Sequence, residues 1–398
     1  MRTLHIWPAL PLIIGGSMAL ISHADNITAV LGQSNRVREV FLSGLADSQL
    51  VAVLAAMEEP YPELTEMRLW SRAGTLSAIP VPDSFLGGSA PLLQDFSLSG
   101  IPFPGFPKLL LSATHLVYLE LSNIPHSGYI SPEAIVAPLS ALSSLKILTL
   151  EFRSPQSRPD LETPSLPPPK RSIFPALDEF RFKGVTEYLE EFVTRIDAPQ
   201  LNEMHITFFN QIVFYCPRLA QFINCTPTLR ALDEAHVEFN DSTASVALRC
   251  RTSKINFGGL RIDISCREPD WQLWSIAQFC NSSLPPLSMV EHLHIVHRYS
   301  KLVWKNDATE STLWLEVLLP STMLKNLFLH EEFAPGIADA LQELIGSRIT
   351  AVLPSLQNIF VKGLEPLGPY QENLRQFVAA RLHSGHPISI SVWDTGRM

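Results

Sequence analysis

Charge is in short supply in this sequence. Only 17% of its 398 residues are Asp, Glu, Lys or Arg, and the balance is acidic, with a formal net charge of -9. A duplex-DNA binder relies on a basic footprint, so this balance points away from nucleic acid. Cysteine is scarce too. The five residues, Cys216, Cys225, Cys250, Cys266 and Cys280, are odd in number and contain no C-x-x-C pair. That excludes the usual zinc-finger spacing and predicts reduced, mostly buried thiols in a cytoplasmic or nuclear protein. Long apolar runs are missing as well. The best candidate, residues 1–25, is broken by Pro8, Pro11, Gly15 and Gly16 and is too short to span a bilayer, so no membrane association is expected. The same stretch imitates a secretory signal, with Arg2 at its head and small residues near Ala24. Sequons at Asn26, Asn224, Asn240 and Asn281 go with that reading, so secretion stands as the alternative.

Catalytic signatures are also lacking. The chain has no G-x-x-x-x-G-K-[ST] phosphate loop, no G-x-G-x-x-G fingerprint, no G-x-S-x-G elbow and no H-E-x-x-H. Gly15-Gly16-Ser17 and Gly87-Gly88-Ser89 read as short turns with no helix placed to cradle a phosphate. Cys216, between Tyr215 and Pro217, is expected to be buried and has no evident base. Glu331 and Glu332 follow His330 and read as an exposed loop edge. In the segment EHLHIVH, His292 and His294 share a strand face, and two imidazoles on one face can hold a metal. That face is the outward one, with Leu293 and Ile295 turned to the core and His297 just beyond. Two exposed histidines without a metal is the preferred reading. The expectation is therefore no enzyme, no cofactor and no metal.

What the chain does have is apolar residues, 46% of the total, at a recurring spacing. One phrase repeats: an apolar residue, two variable ones, an apolar, one variable, an apolar. It appears as LTEMRLW from Leu64, LQDFSLSGI from Leu93, LVYLELSNI from Leu116, LKILTLEF from Leu145, LDEFRFKGV from Leu177 and LNEMHITFF from Leu201. Later copies are VEHLHIV from Val290, LKNLFLHE from Leu324 and LQNIFVKGL from Leu356, with a weaker VREVFLSGL from Val37. Clear copies start roughly 23 to 34 residues apart, which overlaps the leucine-rich-repeat period. The last two apolar residues of each phrase are two apart, so on a strand they point the same way, into a core. The residue between them points out, and the first apolar residue marks the corner where the strand begins.

The intervals predict helices over Asp47–Glu58, capped by Asp47, over Thr186–Ile196 and over Ala334–Gly346. The proline-rich interval from Ile101 predicts a short turn or 3₁₀ segment rather than a long helix. Residues 153–171, dense in Pro and Ser, read as a flexible insertion between repeats. The pattern is weakest between Leu229 and Trp274. The fold class is thus α/β: one leucine-rich-repeat solenoid over residues 1–398, a curved parallel sheet with helices and turns on its outer side.

On the outward positions stand the aromatics Trp70, Tyr118, Phe328 and Phe360, as interface anchors or as rings covered by loops. Beside them lie Glu66, Arg68, Glu120, Glu179, Arg181, Lys183, Glu203 and His205, a mixed polar surface suited to a protein partner.

Particular wording adds a resemblance. The run PDSFLGGSAPLLQDFSLSGIPFPGFPKLLLSATHLVYLELSNIPHSGYISPEAI from Pro82, FKGVTEYLEEFVTRIDAPQLNEMHITFFNQI from Phe182 and VLPSLQNIF from Val352 resemble basidiomycete F-box-like leucine-rich-repeat proteins. The resemblance implies an adaptor whose F-box docks on Skp1 of a cullin-type (SCF) ubiquitin ligase while the repeats hold the substrate. WPALPLIIGG at Trp7 has the form of a first repeat, and no L-P-x-E-[IL] opening precedes it. The expectation is therefore the recognition half, with Skp1 a partner only if an F-box lies upstream. The rival expectation is a secreted repeat protein binding glycans or host surfaces.

Overall fold

The computed structural model describes residues 10–18, 24–72, 79–103, 108–155, 171–210, 214–251, 258–297, 308–346, 348–362 and 370–393. The chain divides into two compact units, Met1–Leu201 and Asn202–Met398.

In the first unit the repeated phrase forms strands, as its alternation requires. These are β1 (Leu12–Ser17), β2 (Val37–Leu45), β3 (Glu66–Ser71), β4 (Asp95–Ser99), β5 (Tyr118–Ile124), β6 (Ile147–Phe152) and, after the two-residue β7 (Ser172–Ile173), β8 (Glu179–Gly184). Each pairs in parallel with the next, and the short β7 pairs separately with β9 (Ile196–Asp197). The register stacks like on like: Met67, Phe96, Leu119, Leu148 and Phe180 form one inward row, and Leu69, Leu98, Leu121, Leu150 and Phe182 the next. All ten are buried, as are the corner leucines Leu64, Leu93, Leu116, Leu145 and Leu177. Burying one such side chain stabilises by about 1.5–3 kcal/mol, and stacking is what completes each burial. The chain turns into β4, β5, β6 and β8 with the same backbone bond, from Gln94, Val117, Lys146 and Asp178 to the preceding repeat, at 2.8–2.9 Å.

Between these strands run α1 (Ala24–Leu31), α2 (Asp47–Ala56), α3 (Lys108–Ser112), α4 (Pro132–Leu139) and α5 (Thr186–Arg195). They cover the inward rows. Phe192 and Tyr188 of α5 stack on Phe180 and Phe182 of β8, with centroids 5.2 and 5.7 Å apart. The proline-rich interval from Ile101 carries the five-residue α-helix α3 in place of the expected turn or 3₁₀ segment, and no long helix is described there.

The second unit holds β10 (Glu203–Phe208), β11 (Glu234–Phe239), β12 (Thr243–Arg249), β13 (Gly259–Ser265), β14 (His292–His297), β15 (Asn326–Leu329), β16 (Asn358–Val361) and β17 (Ser389–Val392). Its helices are α6 (Pro217–Cys225), α7 (Pro227–Arg230), α8 (Pro269–Ser283), α9 (Ala308–Leu318), α10 (Ala334–Gln342) and α11 (Tyr370–His383). The spatial order is β10-β13-β12-β11-β14-β15-β16-β17. The stretch with the weakest repeat pattern is thus an antiparallel meander, β11-β12-β13, with β10 and β14 parallel to its two edges. Three strands, an odd number, return the chain to its original direction, so parallel stacking resumes at β14. The architecture is that of a leucine-rich-repeat protein, interrupted once.

Some local expectations are corrected. Gly15-Gly16-Ser17 is not a turn: it closes β1, paired with Phe41, Leu42 and Ser43. Asp47 is the first residue inside α2 rather than its cap. Ala46 holds the cap position, and its N–H is satisfied by the Gln49 side chain at 2.9 Å. Most of the Pro/Ser-rich stretch, residues 156–170, lies outside the described residues, as do residues 1–9 and 19–23 of the apolar N-terminal run. All five cysteines are free thiols; Cys216, Cys266 and Cys280 are buried, Cys250 is half-buried and Cys225 is exposed. Among the described residues no helix is long and apolar enough to cross a membrane.

Candidate functional site

Each unit presents one sheet face whose side chains leave the strands opposite to the core rows. In the first unit, the parallel register lines up Phe41, Arg68, Ser97, Glu120, Thr149 and Arg181 across six strands. Glu66, Asp95, Tyr118, Ile147 and Glu179 form the row beside it.

The side chains of these rows are tied together. Arg68 donates to Asp95 through Nε at 3.1 Å and Nη2 at 2.5 Å, and its guanidinium lies 5.7 Å from the ring centres of both Phe41 and Tyr118. The Asp95 hydrogen bond raises the Arg68 pKa. Tyr118 donates to Glu120 at 2.8 Å, Ser97 donates to the same Glu120 oxygen at 3.0 Å, and the Trp70 indole N–H donates to Ser97 at 3.2 Å. Burial first, and then the bond to Glu120, push the Tyr118 phenol up, so it stays a neutral donor. The network fixes Trp70 with 41% of its surface in solvent. Next to it is a pocket of about 260 Å³ lined by Gly16, Phe41, Leu42, Ser43, Arg68 and Trp70. At the last strand Glu179 and Arg181 pair with each other, and Lys183 stands opposite Glu151.

The outward face of the second unit has a different character. His205 on β10 meets Asp263 on β13 at 2.6 Å, and Arg261 reaches Asp263 at 2.9 Å and Ser245 at 3.3 Å. Burial disfavours the Asp263 carboxylate, but the bonds from His205 and Arg261 outweigh it and hold its pKa below the usual value. Glu203 lines a shallow pocket of about 100 Å³ with Arg249, Gly259 and Arg261.

Farther along the sheet four rings stack in one row. His236 and His294 are 4.4 Å apart, His294 and Phe328 4.2 Å, and Phe328 and Phe360 4.6 Å, all within 10° of parallel. Trp393 meets His294 and Phe328 at steep angles, with centroids 5.7 and 5.6 Å away. Parallel strands with no stagger place equivalent side chains a strand spacing apart, which is the geometry of a stack. Beside the rings runs a polar ladder. Asn326 contacts His292 Nδ1 at 3.2 Å, Asn358 donates to Asn326 at 2.7 Å, and Ser389 donates to Asn358 at 2.6 Å.

The two histidines of the EHLHIVH segment therefore differ from the expectation of an exposed pair. His294 is only 3% exposed. Burial first, and then its neighbour His236, push its pKa down to about 3. His292 faces Asn326 and Arg251, the latter at 3.0 Å from Nε2. His297 is on the core side, 2.9 Å from Glu332.

All twelve expected surface residues are on outward strand positions. Arg68, Trp70, Tyr118 and Glu120 join one network in the first unit, and Phe328 and Phe360 join one stack in the second. Glu179, Arg181 and Lys183 form a charged end to the first network, while Glu203 and His205 belong to the Arg261 cluster. Asp95, Ser97, Glu234, His236, Arg261, Asp263 and Trp393 were not anticipated. Asp95 and Ser97 follow from the same alternation in the β4 phrase. Glu234, His236, Arg261 and Asp263 sit in the meander, where no repeat marks which side faces out.

No family model matches this chain, and no curated protein matches it. Among solved structures it is similar to the leucine-rich repeat-containing protein LegL7 from Legionella pneumophila. Identity is 13%, the match covers 81% of this chain and 93% of that one, and the TM-score is 0.32. The repeat architecture described above stands on this chain's own strand register.

Proposed function

We propose that this chain is a non-catalytic scaffold that binds a protein partner on the outward faces of its strands. The observation that carries the reading is Trp70. It is large, half in solvent, held by its indole bond to Ser97 and placed beside the 260 Å³ pocket. A fixed aromatic next to a cavity and an arginine is the composition of an interface anchor. The mixed charges of Glu66, Glu120, Glu179, Arg181 and Lys183 supply a polar rim. Comparing proteins captured from a fungal lysate by the wild type and by Trp70→Ala tests this. A partner should be lost from the variant, and an unchanged set counts against this surface.

In the finer form of the reading, the partner is a substrate for a cullin-type ubiquitin ligase, and the protein works in the cytoplasm or nucleus. Its support is the resemblance of the repeat wording to F-box-like proteins. Skp1 joins only through an F-box, so an in-frame F-box upstream of Met1 is the feature to look for in the genomic sequence. A second reading, a secreted protein binding glycans or host surfaces, draws on the exposure of the sequon residues Asn26, Asn224 and Asn281. Intact-mass measurement separates the two: glycan mass at Asn26 or Asn281 together with an N-terminus cleaved near Ala24 supports the secreted form, and an uncleaved, unmodified chain counts against it.

A further inference from the structure

Three donors from two neighbouring strands converge on the second unit's outward face. Glu234 and His236 are two apart on β11 and leave the same side, and His294 of β14 is directly opposite His236. Oε1 of Glu234 is 2.5 Å from Nε2 of His236 and 3.8 Å from Nε2 of His294. One ligand atom from each of the three lies within 4.8 Å of the others. Two imidazole nitrogens and one carboxylate oxygen suit zinc and its neighbours in the transition series. Tetrahedral ligation at about 2.0–2.1 Å sets the donor atoms about 3.3 Å apart. The Glu234 oxygen therefore needs to shift by less than about 1 Å relative to each ring to meet that spacing.

The rings set the stricter condition. They lie 5° from parallel, so their lone pairs run side by side and have to tilt toward a shared ion. His294 is held on its other face by Phe328 and at its edge by Trp393. His236 is the one able to move. It is partly exposed, and the residue opposite it on β12 is Ala247, a single methyl group. One ligand is thus held in place and another has room to adjust.

The geometry points to a binding site for a divalent transition-metal ion of the zinc class at Glu234, His236 and His294, with the remaining position left to water or a partner's side chain. The site does not depend on the protein-binding reading above, and neither fails with the other.

Calorimetric titration of the chelator-stripped full chain with Zn²⁺ tests it, together with the visible d–d bands of Co²⁺. One equivalent should bind. Loss of a supporting residue around a metal typically costs about 10–100-fold in affinity, and loss of a ligand at least as much. Glu234→Gln and His236→Asn should each therefore weaken binding by about tenfold or more. His292→Ala, and a Cys225→Ser/Cys250→Ser pair that removes the accessible thiols, should leave it unchanged. In the wild type, added Zn²⁺ should shift the imidazole NMR signals of His236 and His294, a readout that needs no variant. Absence of saturable binding overturns the proposal. So does binding that survives Glu234→Gln with His236→Asn, that vanishes with the cysteine pair, or that leaves those two imidazoles unmoved.

Discussion

Arg381 shows how much one buried side chain can organise. It lies on α11 with no exposed surface and reaches into the turn that leads to β16. Its guanidinium donates to the carbonyl of Ile349 at 2.9 Å and to those of Leu353, Pro354 and Leu356 at 3.4 Å each. Leu353 has a left-handed backbone, φ +53°, that a leucine rarely adopts. A planar fork of donors fits such a fan of carbonyls, and the compact ammonium of a lysine, on its own four-methylene stem, does not. Arg381→Met should leave buried carbonyls unpaired and cost about 3 kcal/mol in urea unfolding, with Arg381→Lys recovering little of it. Asp263 makes a different prediction. Its pKa is lower in the folded protein than in the unfolded chain. Its contribution is therefore complete above the ordinary carboxylate range and is lost as pH falls through the depressed folded value. Melting temperatures of wild type and Asp263→Asn should differ by a constant amount near neutral pH and converge in acid. A gap that persists to the most acidic condition the fold survives would assign the effect to packing instead.

At the level of elements, the meander is where the repeat gives way, and its turns carry the specificity. Asn240 closes the β11–β12 hairpin: its Oδ1 accepts the N–H groups of Ser242 and Thr243, both at 2.9 Å. Gly259 opens β13 at φ +125°, and a Cβ there would lie 2.2 Å from the Leu248 carbonyl oxygen. That contact is with backbone of the paired strand, so nothing flexible can give way. Gly259→Ala should destabilise by more than about 1 kcal/mol and speed amide exchange in β12 and β13 before β15 and β16. The parallel strands were legible because each phrase states its own register: Leu64, Met67 and Leu69 already say which side is in. The meander was not. Val246, Ala247 and Leu248 are all buried, so β12 shows no alternation to read. The ring stack was half legible. Phe328 and Phe360 occupy equivalent places in two phrases, and stacking follows from parallel pairing. His236 could not be added to the row, because its pairing with His294 depends on a reversed strand order that no local pattern encodes.

For the molecule as a whole, acidity and an outward face of mixed sign make opposite demands on a partner. A net charge of -9 repels a polyanion at long range, while Arg68, Arg181 and Lys183 stand among Glu66, Asp95, Glu120 and Glu179 with neither sign prevailing. Recognition of such a face must come from short-range fit. On the proposed reading, Trp70 supplies that fit and the charges supply register. Once a partner is in hand, Trp70→Ala should weaken its binding by about 2 kcal/mol or more, read as a faster dissociation rate in surface plasmon resonance. Lys183→Ala, at the charged end, should change it by less than about 1 kcal/mol. Raising salt should alter the association rate only modestly, since no single-sign field steers the encounter. Duplex DNA should not shift the protein in an electrophoretic assay at about 0.15 M salt, where screening leaves only close contacts. A DNA complex stable at that salt would show that the basic residues cluster in function where the surface shows them dispersed.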